Sequence, residues 1–292
     1  MNTSKKEEII NTLKYFHFFK FPLTFEELHR YLHYNETEKK LKVLLKELIS
    51  EEKVFEIENC YLLENNIFWV ERKIKGKALA NSKILNAKKN ANIIYWFPFV
   101  RAVFISGSLS KGFADEHSDM DFFIITEKKR LWIARTLLHI FKKITFLFRK
   151  QHNFCMNYFI DSSELQLEEK NIFTAYEIAT LIPCRGAEIY GNFIKANSWV
   201  LDFLPNNVQR NTESDTNKNK VKNFIEKIFN VFFGDILNRT LMEATDRLWR
   251  RKWSKKGFDT SQYDLAFKTR INISKNHEKN YQKLILKYNN KE

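Results

Sequence analysis

The chain has few of the residues that interrupt regular structure. Its 292 residues include only 7 glycines and 4 prolines. Loop-rich β proteins depend on such residues for their turns, so this composition argues against that class. Long amphipathic stretches indicate a helix-rich chain instead, and the length suggests two or three structural units.

Cysteine and long apolar runs are also scarce. Cys60, Cys155 and Cys184 stand apart from one another, with no Cys-x-x-Cys pair among them. This argues against a zinc site and a disulfide framework and favours a reducing compartment. The most apolar stretches are short or carry basic residues, so we predict neither a membrane span nor a membrane partner. The polar N-terminal segment has no signal-peptide pattern, and we predict a cytoplasmic protein.

Basic residues outnumber acidic ones. There are 49 Lys and Arg against 35 Asp and Glu, which gives a formal net charge of +14. Such an excess favours polyanionic partners, either nucleotides or nucleic acid. A surface generally rich in lysine explains the same count without any partner, so charge alone selects no function.

Hydrophobic periodicity predicts an α+β protein with a small mixed β-sheet at its centre. The order strand, turn, strand, helix, strand, helix suits such a sheet with helices packed on one face. The predicted units are a small module at 1–65, a connecting helix at 66–98, a core at 99–204, a polar linker at 205–220 and a C-terminal helical region at 221–292.

Residues 1–65 resemble a winged helix-turn-helix module. Three helical segments precede two short strands around a Glu58-Asn59 turn, and Thr24 with Glu27 forms a capping-box pattern. The third helix of such modules can enter the DNA major groove, and here it carries Lys39, Lys40, Lys42 and Lys46. Nearby acidic residues, Glu36, Glu38 and Glu47, partly cancel that charge. Packing against the core and dimerisation are the alternatives to DNA binding.

The segment that carries chemistry is 106–125, SGSLSKGFADEHSDMDFFII. In a strand, Asp119 and Asp121 project to the same side, about 6.6 Å apart, while Met120 faces the core. Two such carboxylates suit Mg²⁺, which prefers oxygen ligands. The alternative is an ordinary turn between core strands, but two adjacent like charges are costly to bury without a cation.

The small residues before the acidic pair suit a phosphate. Gly107 permits close backbone approach, and Ser108 offers a hydroxyl and an N–H at the start of a short helix. We predict that Lys111 and Ser118 contribute to the same phosphate-binding site.

This stretch resembles the signature of the nucleotidyltransferase superfamily related to DNA polymerase beta. The minimal and antibiotic-modifying members commonly show G-S-x-A-x-G-x-A-x-x-x-S-D-x-D, and this chain reads G-S-L-S-K-G-F-A-D-E-H-S-D-M-D. The resemblance implies that Gly107 and Ser108 hold the phosphates of a nucleoside triphosphate. It further implies that Asp119 and Asp121 hold Mg²⁺ or Mn²⁺ during transfer of a nucleoside monophosphate, with ATP the expected donor.

The superfamily's third carboxylate is missing from the place where it is expected. That place, on the strand NFCMNYFI, holds Asn157, and an amide cannot remove a proton. Asp161 lies about 13 Å further along the same strand, and Glu164 follows in a loop. We expect Glu177 on a solvated helix face and assign no role to His117 or His152.

Three functions stay open on the sequence. The first is a Mg²⁺-dependent nucleotidyltransferase whose acceptor the residues do not indicate. The second is a nucleic-acid-binding regulator with a degenerate nucleotidyltransferase domain, and the third is a nucleotidyltransferase of the toxin-antitoxin kind. The sequence indicates no oligomeric state.

Overall fold

The fold is that of a computed structural model of the chain. The structure describes residues 2–147, 151–208, 210, 212, 220–231, 234–258, 263–276 and 281–289.

The N-terminal segment contains the helices and the hairpin that the sequence predicts. Its elements are α1 Asn2–His17, β1 Leu23–Thr24, α2 Phe25–Tyr31, α3 Glu38–Ser50, β2 Phe55–Ile57 and β3 Cys60–Leu62. The strands form an antiparallel sheet in the order β1-β3-β2. Thr24 and Glu27 make the predicted capping box, and Glu58 and Asn59 turn the hairpin with positive φ. Assignment of this segment to the winged-helix class stays a prediction.

The central segment alternates strands and helices. Its elements are α4 Ile67–Tyr95, β4 Val100–Ile105, α5 Gly107–Ser110, β5 Asp121–Thr126, α6 Leu131–Leu147, a 3₁₀ turn Gln151–Asn153, β6 Cys155–Asp161, α7 Ile172–Thr180, β7 Ile182–Arg185, α8 Ala187–Ala196 and α9 Val200–Phe203. The predicted connecting helix is therefore present as α4.

The sequence predicts a helical C-terminal region, but the C-terminal segment of the structure also contains two strands. Its elements are α10 Lys220–Val231, α11 Gly234–Lys255, α12 Tyr263–Ala266, β8 Phe267–Arg270, β9 Ile273–Asn276 and α13 Tyr281–Asn289. β8 and β9 join the central sheet, whose order in the described residues is β7-β4-β5-β6-β9-β8. Only β5 and β6 pair in parallel; the other neighbours are antiparallel. The mixed sheet of an α+β protein is thus confirmed.

Helices cover both faces of this sheet, so the prediction of helices on one face is wrong. Alternation along β5 sends Phe123 into a core that includes Tyr190 and Phe193 of α8. The next residue, Ile124, enters a second core that includes Trp132 of α6 and Ala91 of α4. Both faces of β4 and β5 are therefore buried, which holds the beginning of β5 in a fixed position.

Helix α10 is held to the core by a partly buried ion pair. Glu226 of α10 accepts hydrogen bonds from the guanidinium of Arg101 at 2.8 Å and from the backbone N–H of Phe99 at 2.6 Å. Most of the predicted polar linker, 205–220, lies outside the described residues. Among the helices in the described ranges, none combines the length and apolarity needed to cross a lipid bilayer.

Candidate active site

The corner between β4 and α5 lies directly against Asp121. Gly107 begins α5 with φ +67°, in the region that glycine tolerates best. A Cβ at this position would overlap the Asp121 carboxylate, with Cγ at 3.1 Å. The backbone N–H of Ser106 donates to the carbonyl of Asp121 at 2.9 Å, which fixes the two segments together. The glycine is thus required both by its backbone conformation and by the closeness of the acid.

The first turn of α5 receives no side-chain hydrogen bond from its N-cap residue. That residue is Ser106, whose hydroxyl therefore does not satisfy the N–H groups that follow. Ser108 is half-buried, and its carbonyl accepts hydrogen bonds from the N–H groups of Lys111 and Phe113 at 3.0 and 3.1 Å. The structure therefore places Ser108 on the same short turn as Gly107.

The loop between α5 and the acidic pair is tied to α4. The Lys83 ammonium donates to the carbonyls of Asp115, Glu116 and Ser118 at 2.9, 3.1 and 3.3 Å. The Ser118 hydroxyl accepts from the N–H of Asp115 at 2.7 Å, so in this structure it closes a turn. Its predicted contact with a nucleotide stays a prediction.

Asp119 and Asp121 occupy different backbone environments. β5 begins at Asp121, so the expectation that both acids lie within the strand is wrong. Met120 between them is buried, and its N–H donates to the carbonyl of His152 at 2.9 Å. The Asp119 carboxylate lies 2.5 Å from Nδ1 of His152. His152, for which the sequence indicated no role, therefore contacts one of the two acids.

The surroundings of Asp121 disfavour its charge. Burial, first of all, raises the pKa of Asp121 from its ordinary 3.8 to about 6. The negative charges of Asp119 and Glu177 raise this pKa further, while a hydrogen bond from Cys155 and the charge of Lys111 lower it. The two aspartates are thus close enough for one charge to oppose the other, as the sequence predicts.

Asn157 lies beside Asp121. The pairing of β5 with β6 shifts between Phe122 and Phe123, and this irregularity falls at Asn157 on β6. Its amide Nδ2 donates to Oδ1 of Asp121 at 3.2 Å. The residue at the expected place of the third carboxylate therefore contacts the acidic pair, although it carries no charge.

The two alternative carboxylates lie elsewhere. Asp161 pairs with Thr126, at the opposite end of β5 from Asp121, and accepts hydrogen bonds from the N–H groups of Lys129 and Ser163 at 2.9 Å. Glu164 accepts from the side-chain amide of Asn272 at 2.6 Å. Neither acid completes the site in this structure.

Glu177 of α7 belongs to the site, contrary to expectation. Its carboxylate lies 2.8 Å from the ammonium of Lys111, which also donates to the carbonyl of Gly107 at 3.3 Å. The Glu177 side chain is 33% exposed, so it does not lie on a fully solvated helix face. A positive and a negative side chain therefore flank the Gly107 corner, and their separation of 66 residues gave no sequence signal.

The donor set fits a divalent cation that shares its ligands with a substrate. Asp119 and Asp121 offer carboxylate oxygens, and the burial and mutual repulsion of this pair favour a bound cation. In the described part of the chain, no group of three or more His, Cys, Asp or Glu side chains could hold a metal by itself. Mg²⁺ commonly takes one or two carboxylates and completes its shell with water and substrate phosphates.

Comparison with known proteins agrees with this geometry. Residues 92–178 match the family model described as a nucleotidyltransferase domain. The matched segment runs from the end of α4 into α7, so it includes Gly107, Asp119, Asp121 and Asn157. It supports the nucleotidyltransferase superfamily, and with it the transferase class, for this part of the chain. The searches of curated proteins and of solved structures each found no match.

Proposed function

We propose that the protein transfers a nucleoside monophosphate from a nucleoside triphosphate, with ATP as the first candidate, to an acceptor hydroxyl. The observation that carries this proposal is the contact of the Gly107 corner with Asp121, next to Asp119. A phosphate-binding turn and a pair of acids must meet in this way if both are to act on one triphosphate. When bound by Asp119 and Asp121, Mg²⁺ or Mn²⁺ would neutralise the negative charge of the phosphates.

The protein's own residues position and charge the site. The turn at Gly107 and Ser108 supplies backbone N–H groups for phosphate oxygens, and Lys111 supplies a positive charge beside them. Asn157 donates to Asp121 and so orients that carboxylate, but it cannot accept a proton from the acceptor. These roles support nucleotide binding more directly than they support activation of the acceptor.

Labelled nucleotides test the proposal. Each α-labelled nucleoside triphosphate is incubated with the full chain and Mg²⁺ or Mn²⁺, and label is followed on the protein, on RNA and on small hydroxyl compounds. We expect Asp119→Asn and Asp121→Asn each to lower transfer about 100-fold, since each removes a carboxylate that would hold the divalent cation against the phosphates. Asp202→Asn, at an exposed position of α9, is the matched control and should leave transfer unchanged.

Two results would contradict the nucleotidyltransferase proposal. One is the absence of transfer with every nucleotide, metal and acceptor class tested, for a folded protein. The other is transfer that persists at the wild-type rate in both aspartate variants, since the label would then come from another site or a contaminant.

The second candidate function is binding of nucleic acid by the N-terminal segment, and a specific observation favours it. Helix α3 buries Leu41, Leu44, Leu45 and Leu48. Its outer face exposes four lysines: Lys39, Lys40, Lys42 and Lys46. Glu36 and Glu47, which the sequence suggests would cancel these charges, pair instead with Lys5 and Lys6 of α1 at 2.5 and 2.8 Å. The lysine face of α3 is therefore less neutralised than its sequence indicates.

Salt dependence tests this second function. We expect the affinity for a DNA duplex to fall steeply with salt, with a slope of about −0.9 for each phosphate contact. The triple variant Lys39→Gln, Lys42→Gln, Lys46→Gln should flatten the slope by about 2–3 and weaken binding at least tenfold at low salt. A matched variant with Gln at Lys75, Lys88 and Lys89, which are exposed on α4, should change the salt slope and the affinity less. Equal losses in the two triple variants would show that only overall charge matters and would end the proposal for α3.

A further inference from the structure

Two arginines from distant parts of the chain lie within electrostatic reach of each other, and one of them bonds the end of α5. Arg210, in the segment after α9, donates from Nη2 to the carbonyl of Ser110 at 3.2 Å. Arg30, in the last turn of α2, donates to Oδ1 of Asn207 at 2.8 Å and to the carbonyl of Ala179 at 2.9 Å. The N-terminal segment thus places a positive charge near the same short helix that begins with Gly107.

These two charges oppose each other. Burial lowers the pKa of Arg210, and the neighbouring charge of Arg30 lowers it further. Within the residues that the structure describes, both guanidinium groups bond to carbonyl or amide oxygens, and neither forms an ion pair with a carboxylate. Two half-buried like charges oppose each other, and an anion bound between them would offset that cost.

Two tyrosines lie within electrostatic reach of both arginines. Tyr31 and Tyr190 each feel the charges of Arg30 and Arg210, and the Tyr190 hydroxyl hydrogen-bonds the Arg210 backbone. Burial raises the pKa of both hydroxyls, which therefore stay protonated near neutral pH. A planar guanidinium group can donate two parallel hydrogen bonds to two oxygens of one phosphate, and protonated hydroxyls add donors.

The position of this cluster relates it to the Gly107 corner. Gly107 and Ser110 stand three residues apart on α5, which is about 4.5 Å of helical rise. A phosphate chain held at the beginning of α5 spans that distance easily. The cluster also lies beside the segment 172–180, since Arg30 bonds the carbonyl of Ala179 in α7.

We propose that Arg30 and Arg210 form a phosphate-binding subsite beside α5. The ligand is a phosphate group, either the terminal phosphate of the nucleotide or a backbone phosphate of a nucleic-acid acceptor; this identity rests on the proposed nucleotidyl transfer. The subsite gives the N-terminal segment a role in substrate binding, through α2 and independently of the lysine face of α3.

The test measures binding rather than turnover. The full chain is titrated with tripolyphosphate, ATP, AMP and a single-stranded 12-nucleotide RNA, each at low salt, for the wild type and Arg210→Gln. Arg210 is the residue to replace, because within the described residues its side chain makes one hydrogen bond, to the Ser110 carbonyl, whereas Arg30 joins several segments. Arg247→Gln, an exposed position on α11, is the matched control.

Two outcomes support the subsite and identify its ligand. If the nucleotide supplies the phosphate, Arg210→Gln should lower the affinity for tripolyphosphate and for ATP about tenfold and leave the affinity for AMP unchanged. If the acceptor supplies the phosphate, Arg210→Gln should lower the affinity for the RNA about tenfold and leave the affinity for tripolyphosphate unchanged. In either case Arg210→Lys should restore part of the loss, because it keeps the charge without the two parallel hydrogen bonds.

One outcome overturns the subsite. If Arg210→Gln is folded, as an unchanged melting temperature would show, and binds all four ligands as the wild type and Arg247→Gln do, Arg210 takes no part in phosphate binding. This result is distinct from failure of the proposed function, which the Asp119 and Asp121 variants test. Tripolyphosphate binding that depends on Arg210 would uphold the subsite even in a protein that transfers no nucleotide.

Discussion

Replacing Gly107 with alanine should lower nucleotidyl transfer by at least about 100-fold and destabilise the fold by about 2–4 kcal/mol. Part of the loss comes from the backbone, because φ is +67° and an alanine is strained there. The larger part comes from the new methyl group, which would overlap the Asp121 carboxylate. Since Asp121 is fixed at the start of a buried strand, relief of the overlap must move either the acid or the phosphate-binding turn. The measurements are urea unfolding and transfer of labelled nucleotide.

Gly112 provides the matched control for this prediction. Its φ is +71°, but an added Cβ meets no atom within 4 Å. Gly112→Ala should therefore show the backbone cost alone, about 1 kcal/mol, with little loss of transfer. Combining Gly107→Ala with Asp121→Ala separates the causes, because the overlap is then gone and the stability cost should fall toward the Gly112 value. Equal effects of the two glycine variants in the wild-type background would mean that the contact with Asp121 is unimportant.

The contact between Gly107 and Asp121 could be predicted because both residues belong to one short stretch. An apolar strand, a tight turn with glycine and a second apolar strand leave few ways to connect, so their ends must meet. The same reasoning placed Asn157 beside the acids, since its strand follows in sequence and pairs with β5. Distance along the strand also separated Asn157 from Asp161, and the structure places Asp161 at the far end of the pairing from Asp121.

Other features depend on contacts between distant parts of the chain and left no local signal. β8 and β9 are four-residue strands that contain Lys268 and Lys275, and their charges are buried against Glu168 and Glu169. Such strands lack the apolar alternation that predicts a sheet, and tertiary ion pairs offset the burial of their lysines.

Electrostatic partners were the least predictable part of the site. Glu177 meets Lys111 only because α7 packs near α5, and His152 meets Asp119 only because the 3₁₀ turn before β6 lies beside the start of β5. Counting charges within one helix was misleading for the same reason. Glu36 and Glu47 are neighbours of the α3 lysines in sequence, but in the structure they pair with lysines of α1.

In the absence of divalent cations, Asp121→Asn is expected to be more stable than the wild type at pH 8, by about 1–3 kcal/mol. The pKa of Asp121 rises from 3.8 to about 6 on folding, and each unit is worth about 1.4 kcal/mol. The folded state thus holds the proton more tightly than the unfolded state, so the carboxyl carries no penalty below about pH 4. The loss of folding stability from ionising Asp121 grows as the pH rises from about 4 to about 6 and reaches its full size above about pH 6. Asparagine never ionises, so the difference between the two proteins should vanish near pH 4. Urea unfolding in EDTA across this range measures it.

Divalent cations should reverse the ranking. Mg²⁺ added at pH 8 should stabilise the wild type in proportion to its occupancy and leave Asp121→Asn nearly unchanged. Asp202→Asn, at an exposed position of α9, controls for the loss of one negative charge and should follow the wild type with and without Mg²⁺. A wild type that is the more stable protein at pH 8 in EDTA would contradict the prediction, because Asp121 would then be stabilised by its neighbours rather than opposed by them. A carboxylate kept in a place that costs stability is common at functional sites, where binding repays what folding loses. The reversal by Mg²⁺ would therefore tie the unfavourable charge of Asp121 to the proposed function by equilibrium measurements alone.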